Sequence, residues 1–351
     1  MVTSENTMNP YELLRPLLFK LEPERAHRWT LNTLNTLEKM GLLALINPPK
    51  EQPIELMGLR FPNRVGLAGG MDRHAEYFNA LGHLGFGFIE VGTLTQQPQM
   101  GQPRPRLFRL VDQDALINRM GFYNKGIEHA LPYLEKRVYQ GVLGISIGKQ
   151  NITPVESATN DYCSAFTQVY SKADYIAVNV SSPNTQGLRA LQHSALLDEL
   201  LGALKDKQKE LAEKNVDGRK VYVPLVVKIA PDLSQTEIQE MAALFLQHNV
   251  DGVIASNTSL SRDNIAGHPL AAQAGGLSGR PITQHATQVL SAFQQAMKGH
   301  IPLIASGGIM SAQDARDKFN AGASLVQLYT GLIYRGPRLI AEVLKDQEKQ
   351  L

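Results

Sequence analysis

Amides, hydroxyls, glycines and a few cations recur at one kind of place in this chain: where a short apolar run breaks off. Tyr175 to Val180 runs straight into Ser181-Ser182-Pro183-Asn184-Thr185-Gln186-Gly187-Leu188-Arg189. Gly252–Ala255 is followed by Ser256-Asn257-Thr258, and the run ending at Ala68 by Gly69-Gly70-Met71-Asp72-Arg73. Asparagine offers a donor and an acceptor at once, so a cluster of asparagines suits a flat ring carrying carbonyls and ring N–H groups. Carboxylates are scarce at these ends and histidines and cysteines are absent, which disfavours a metal centre. The paired carboxylates of glycosidic chemistry are missing too. Glycines at Gly276-Leu277-Ser278-Gly279, Gly307-Gly308 and Tyr329-Thr330-Gly331 allow backbone N–H groups to approach an anion such as phosphate. Lys228 emerges from the apolar stretch Pro224-Leu225-Val226-Val227 and must find a partner there. An internal salt bridge is one solution; contact with an electron-rich cofactor is the one expected here.

The elements that must position these groups read as alternating strands and helices. The apolar runs are Arg64–Ala68, Phe86–Val91, Val142–Ile147, Tyr175–Val180, Leu225–Ile229, Gly252–Ala255, Pro302–Ala305 and Leu325–Tyr329. Continuous apolar strands are buried on both faces, as in parallel sheets. Helical periodicity occupies His74–Leu84, Pro154–Tyr170, Ser194–Lys214, Thr236–Gln247, Thr283–Met297 and Ala312–Asn320, with Ser234 and Ser311 as N-caps. Eight strand–helix units predict an α/β fold, a (β/α)8 TIM barrel, whose strand C-termini form the active site. A doubly wound open sheet is the alternative. Thr95 to Gln140 is too long for a plain connection and predicts an excursion above the barrel. Residues 50–351 thus form the barrel domain. Ahead of it, residues 10–49 read as two short helices with Pro16 and Pro23 near their starts, Leu17, Leu18 and Leu21 on one face of the first, and Leu31, Leu34, Leu37 and Leu43 dominating the second. Such a hairpin either caps the barrel or dips an apolar face into a membrane.

Composition narrows the class further. At 43% hydrophobic, 19% charged and net charge +2, nothing calls for nucleic acid. The single Cys163 excludes an internal disulfide, fits a reducing compartment, and reads as buried filler in a helix. The N-terminus lacks a secretory signal, and no apolar run reaches the length that spans a bilayer. Residues 1–9 are polar and expected to be disordered, with Met8 as a possible alternative start.

With these residues in hand, the chain resembles class 2 dihydroorotate dehydrogenases, the quinone-linked flavoenzymes of pyrimidine synthesis. The resemblance runs from Pro10 to about Val343. It is most specific at Asn179–Arg189, at Arg104-Pro105-Arg106-Leu107-Phe108-Arg109 with Ile117-Asn118-Arg119-Met120-Gly121-Phe122, at Ser256-Asn257-Thr258, and at Gly275-Gly276-Leu277-Ser278-Gly279-Arg280-Pro281. It implies FMN, with phosphate held around Gly279, Gly308, Tyr329 and Thr330, and the ring against Gly69, Gly70, Thr93, Asn179, Lys228 and Ser256. Met71, Asp72, Arg73 and Ser146 complete the implied cofactor set. Dihydroorotate or orotate is expected on Arg73, Asn118, Asn179, Asn184, Asn257 and Thr258, with Arg119, Met120, Gly121 and Phe122 in the loop over them. The resemblance makes Ser182 the base that takes the C5 proton while a hydride leaves C6; a serine needs a relay such as Thr185 to pass that proton on. It also makes the N-terminal hairpin a tunnel for a membrane quinone, with His27, Arg109 and Tyr329 near its head group. A monomer lying peripherally on the cytoplasmic face of the cell membrane is implied.

Two departures from the family pattern stand out. The family's Asp-Lys at the first strand end is Asp72-Arg73 here, and a guanidinium is wider and planar. Asparagine is usual where Ser146 stands, while Ser256 in place of threonine is mild. Two alternatives therefore stay open: a flavin- and pyrimidine-binding paralogue with an impaired site, or a flavin oxidoreductase acting on another cyclic amide.

Overall fold

The computed structural model describes residues 10–46, 49–213 and 221–349; the leader 1–9 and the expected helix end at Lys214 lie outside them. Eight parallel strands close a barrel: β1 Val65–Leu67, β2 Phe88–Leu94, β3 Val142–Ile147, β4 Tyr175–Asn179, β5 Leu225–Ile229, β6 Gly252–Ala255, β7 Leu303–Ser306 and β8 Ala323–Leu328. Closure rests on β8 pairing with β1, Val326 opposite Val65 and Leu328 opposite Leu67, which rules out the open-sheet alternative. Every residue of β2 to β5 is buried, as strands covered on both faces must be.

The N-terminal mouth of the barrel is plugged by an apolar cluster of Phe61, Phe88, Tyr175, Ile254, Ile304 and Leu325. Glycines make room for its rings: a Cβ on Gly66 would sit 2.3 Å from the Phe88 ring, and one on Gly144 2.1 Å from the Tyr175 ring. The hairpin Ile54–Leu56 with Leu59–Phe61 packs there, turning through Met57 and Gly58, both at positive φ as a two-residue hairpin loop requires. All substrate traffic is thereby directed to the other end.

Two expected helices are shorter than their periodicity implied. Only Phe78–Gly82 of the His74–Leu84 stretch is helical. The Asp72 carboxylate accepts from the backbone N–H groups of Glu76 (2.9 Å) and Tyr77 (2.7 Å), which ties residues 73–77 into a loop instead. The Pro154–Tyr170 stretch opens with a 3-10 turn, Val155–Ser157, and becomes α-helical over Ala158–Val169. Ser234 and Ser311 cap their helices, the first in a reciprocal capping box with Glu237.

The excursion over 95–140 is more ordered than a long loop. Leu107–Leu110 and Ala115–Asn118 form a hairpin, and Gly276–Gly279, read in the sequence as backbone open to an anion, pairs with it as a third antiparallel strand. A satellite core of Leu110, Ala115, Ile117, Ile265, Leu277 and Ile282 holds this wall above the barrel.

The hairpin at the N-terminus comprises α1, Pro10–Lys20, and α2, Pro23–Lys39. Pro23 does open α2, but Pro16 lies inside α1, which begins at Pro10. Arg15 Nη1 donates to the Tyr334 carbonyl (2.7 Å), and Arg109 Nη1 to the Phe19 (3.1 Å) and Leu21 (2.8 Å) carbonyls at the end of α1. Glu24 on α2 pairs with Arg104 (2.7 Å) and Arg106 (2.6 Å) of the excursion. Leu18, Ala26, Leu31 and Leu43 turn inward, whereas Leu17 and Leu21, expected on the same face as Leu18, are exposed with Leu13, Trp29, Met40 and Leu45. Cys163 is only partly covered rather than buried.

One buried charge makes stability depend on pH. Lys318 is fully covered and donates to the Thr283 carbonyl (3.1 Å); burial pushes its ammonium down to about 7. A lysine with a folded-state pKa below its unfolded value destabilises fully below that folded value, and the cost fades as pH rises toward about 10.5. Lys318→Met should therefore raise the melting temperature more at pH 6 than at pH 10. An equal shift at both pH values would contradict a buried, charged lysine.

Candidate active site

The C-terminal ends of the strands and the antiparallel wall enclose one polar cavity. Its back is built on the end of β4. The Tyr162 hydroxyl donates to the Asn179 carbonyl (2.8 Å), fixing the last residue of the strand. Asn179 Nδ2 then donates to Thr93 Oγ1 (2.9 Å), which also contacts Ser146 Oγ (2.9 Å). Asn257 Nδ2 donates to Asn179 Oδ1 (3.3 Å) and Ser181 Oγ (3.0 Å). Four strand ends, those of β2, β3, β4 and β6, are thus held by one amide–hydroxyl network, and a network whose members satisfy one another has a single geometry.

Ser182 and Asn184 stand on the loop leaving β4. Ser182 is 7% exposed and its Oγ accepts from the Asn184 backbone N–H (3.3 Å). Asn184 Nδ2 donates across to the Asn118 carbonyl (3.2 Å), joining this loop to the antiparallel wall. Arg189 braces it from behind, donating to the carbonyls of Ser181 (3.1 Å) and Thr258 (3.0 Å) while pairing with Asp232 (2.8 Å). The Thr185 hydroxyl is buried without a hydrogen-bond partner.

Charge lies beside this network, Lys228 of β5 being in register with Asn179 of β4. Lys228 Nζ lies 3.2 Å from Glu90 Oε1, both side chains buried. Glu90 Oε2 also accepts from Tyr175 (3.2 Å) and from Gln327 Nε2 (2.9 Å). The internal salt bridge is therefore present, and Lys228 lines the cavity as well. Glu90 escaped sequence reasoning although its signal was the same as that of Lys228: a charge inside an apolar strand. Arg73 is 9% exposed and also faces the cavity, with its Nη2 buried and unpartnered. Glycines close the far side. Gly279 and Gly308 have φ +98° and +74°, and a Cβ on either would lie 2.3 Å from Asp114 or Thr283 backbone atoms. Neighbouring Thr330 Oγ1 donates to Ser278 Oγ or accepts from it (2.9 Å).

A second, apolar cavity lies between the hairpin and the barrel. Leu18, Phe19, Leu31, Leu34, Met71 and Leu116 line it, and among its few polar groups are His27, Arg109 and Tyr329. Arg109 stacks over the Phe19 ring at 4.8 Å. Burial, with the Arg73 guanidinium nearby, holds His27 well below the usual histidine range, so its imidazole is neutral. Tyr329 lines both cavities, and its hydroxyl donates to the Gly70 carbonyl (3.4 Å).

Most of the residues singled out in the sequence meet in the polar cavity: Ser182, Arg73, Asn118, Met120, Gly121, Phe122, Asn179, Asn184, Asn257 and Thr258, with Gly69, Gly70, Thr93, Lys228, Ser256, Gly279, Gly308, Tyr329 and Thr330. Four do not line it. Met71 faces the apolar cavity, and Asp72 is buried beneath the loop it ties, its carboxyl pushed up to about 6 by burial. Ser146 stands behind Thr93. Arg119 turns away, donating to the Pro105 carbonyl (2.6 Å) and Gln273 Oε1 (3.1 Å) over the Phe108 ring.

Comparison with known proteins agrees with this geometry. The family model for dihydroorotate dehydrogenase matches residues 53–351. A protein of Chromobacterium violaceum named dihydroorotate dehydrogenase (quinone) is 52% identical over 97% of this chain and 98% of its own. One of the same name from Cellvibrio japonicus is 50% identical over 94% of this chain and 96% of its own. The crystal structure of an Eimeria tenella dihydroorotate dehydrogenase in complex with ferulenol superposes with a TM-score of 0.84 at 34% identity, covering 95% of this chain and 94% of that one. This chain belongs to the dihydroorotate dehydrogenase family, in its quinone-dependent class.

Proposed function

We propose that the chain oxidises dihydroorotate to orotate with a membrane quinone as acceptor, a step of pyrimidine synthesis. The observation that carries this is the pair of cavities, one polar at the strand ends and one apolar under the hairpin, meeting at Tyr329. The family is flavin-dependent, and FMN is the flavin proposed here. The polar cavity fits it: buried Arg73 Nη2 and Gln327 Oε1 face or border the cavity without protein partners, and the glycines at 279 and 308 leave backbone exposed to a phosphate. Gly279, Gly308 and Thr330 would hold the phosphate, with Gly69, Gly70, Thr93, Lys228 and Ser256 along the ring. When bound, the flavin supplies the two-electron acceptor for the substrate's hydride.

The chain's own residues do the rest. Asn118, Asn179, Asn184 and Asn257 supply donors and acceptors in matched positions for the two carbonyls and two N–H groups of the substrate ring. Arg73 supplies a positive charge for its carboxylate. Ser182 Oγ takes the C5 proton, and the unpartnered Thr185 hydroxyl is the next acceptor in line. Asn184 N–H, donating to Ser182 Oγ, holds the serine in place. No helix among the described residues is long and apolar enough to cross a membrane. Attachment is proposed through the exposed Leu13, Leu17, Trp29, Met40 and Leu45 of the hairpin region, as a monomer on the cytoplasmic face.

Purified protein should be yellow, release FMN on denaturation, and reduce a short-chain quinone when given dihydroorotate. A fully flavin-loaded sample that fails to do so would contradict the proposal. Arg73→Met should weaken orotate binding, read from the flavin spectrum, by about 10- to 100-fold, the worth of one hydrogen bond to a charged group. Arg73→Lys should leave turnover largely intact. Turnover appearing only in Arg73→Lys would instead identify a site impaired by the arginine.

A further inference from the structure

A third cavity lies wedged between the other two. It shares Arg73 and Tyr123 with the polar cavity and His27, Leu31 and Met71 with the apolar one. Unlike the apolar cavity it is lined mainly by ionisable side chains. Glu24, His27 and Arg28 come from α2, Arg73, His74, Glu76 and Tyr77 from the loop after β1, and Arg104 and Lys125 from the excursion. Its outer rim reaches solvent, since the Lys125 and Arg104 side chains are 46% and 59% exposed.

We infer that this chamber is a proton route from solvent to the quinone, running from His129 and Glu76 through His74 to His27. The inference rests on the proposed function, because it takes the apolar cavity to hold the quinone. Reducing a quinone to its quinol adds two electrons and two protons, and each carbonyl oxygen becomes a hydroxyl. Dihydroorotate supplies the electrons, leaving from C6 as a hydride, which also carries one proton. The second proton leaves C5 through Ser182 on the other side of the site. A matching proton must therefore enter at the quinone end. Among the described side chains lining the apolar cavity, His27 is the one of a type that exchanges protons near neutral pH. His27 can pass one by accepting on one ring nitrogen and donating from the other, and it opens onto both cavities.

The remaining stations are in place. Glu76 Oε1 lies 2.6 Å from His129 Nε2 and 2.6 Å from Lys125 Nζ at the rim. His74 stands inward of them with Nδ1 buried and without a protein partner, its ring edge against Tyr123 at 5.2 Å between centroids. Burial lowers His74 to about 4, so it too is neutral and able to relay rather than store a proton. His27, Arg73 and His74 line this one chamber, so the inner end of the route opens beside His27.

The test separates electron transfer from proton delivery. Flavin in the intact protein is first bleached anaerobically with dihydroorotate, then reoxidised either with a short-chain benzoquinone or with ferricyanide, which takes electrons without protons. His74→Leu should leave bleaching and ferricyanide reoxidation unchanged. It should slow reoxidation at saturating quinone by about 10²-fold, the low end of positioned proton transfer, with a larger solvent deuterium effect. Imidazole in the buffer should restore part of the rate. His129→Gln, at a partly exposed position, should show the same pattern more weakly and covers the case of a misfolded His74 variant. Equal slowing with both acceptors, a change in quinone KM alone, or no change in either variant would overturn the route. Absence of bleaching in the unaltered protein would instead contradict the proposed function.

Discussion

Ser182→Ala should slow dihydroorotate-driven flavin reduction by about 10²–10⁴-fold, the range for a positioned general base. It should leave FMN content and orotate affinity close to those of the unaltered protein. The separation is expected because Ser182 contributes little to the scaffold: in the loop it accepts one long hydrogen bond, 3.3 Å, from the Asn184 N–H. Asn179, Asn257 and Thr93 hold one another without it. A serine hydroxyl is a weak base in isolation and depends on its surroundings to take a proton onward. The buried, unpartnered Thr185 hydroxyl is the acceptor proposed for it, so Thr185→Val should reproduce part of the defect. Single-turnover bleaching in a stopped-flow spectrometer reads both variants. An unchanged bleaching rate in Ser182→Ala would remove this serine as the base.

Deleting residues 1–49 should abolish quinone turnover while leaving dihydroorotate-driven bleaching. Leu18, Phe19, Ala26 and Leu31 form one wall of the apolar cavity, and without them a quinone has only an open barrel flank to bind. Among the described residues, the polar cavity draws none from this segment. The barrel core also stands almost apart from it, with Leu31 the one buried contribution of its described residues to the main cluster. The deletion uncovers Met71, Leu81, Leu84 and Leu116, so the truncated protein is best assayed in mild detergent. Bleaching that persists while quinone turnover vanishes would place the quinone under the hairpin. Quinone turnover that survives the deletion would refute that placement.

The barrel was legible because its signals are local and repeated. Each strand is a short continuous apolar run, and each site residue follows such a run, so the ends of β4 and β6 could be read as cavity walls from Asn179, Asn184 and Asn257 alone. What could not be read depends on partners distant in the chain. The helix expected from His74 fails at its first turn because Asp72 captures two backbone N–H groups there. Gly276–Gly279 could be read only as backbone open to an anion, yet it becomes a strand because the hairpin ending at Asn118 offers it an edge. Glu90 was visible as a charge in an apolar strand, but its meeting with Lys228, 138 positions away, is set by barrel closure. Ser146 looked like a shortened arm to the flavin; the fold sets it one step back, on Thr93. The third cavity had no sequence signature, since α2, the loop after β1 and the excursion meet only in space.

One anaerobic experiment bears most directly on the central claim. The flavin-loaded protein is mixed with dihydroorotate without any acceptor, its yellow absorbance is followed, and a short-chain quinone is then added. The account predicts that dihydroorotate bleaches the flavin, that orotate accumulates in equal amount, and that the quinone restores the colour. A flavin that shifts with orotate but does not bleach with dihydroorotate would contradict it.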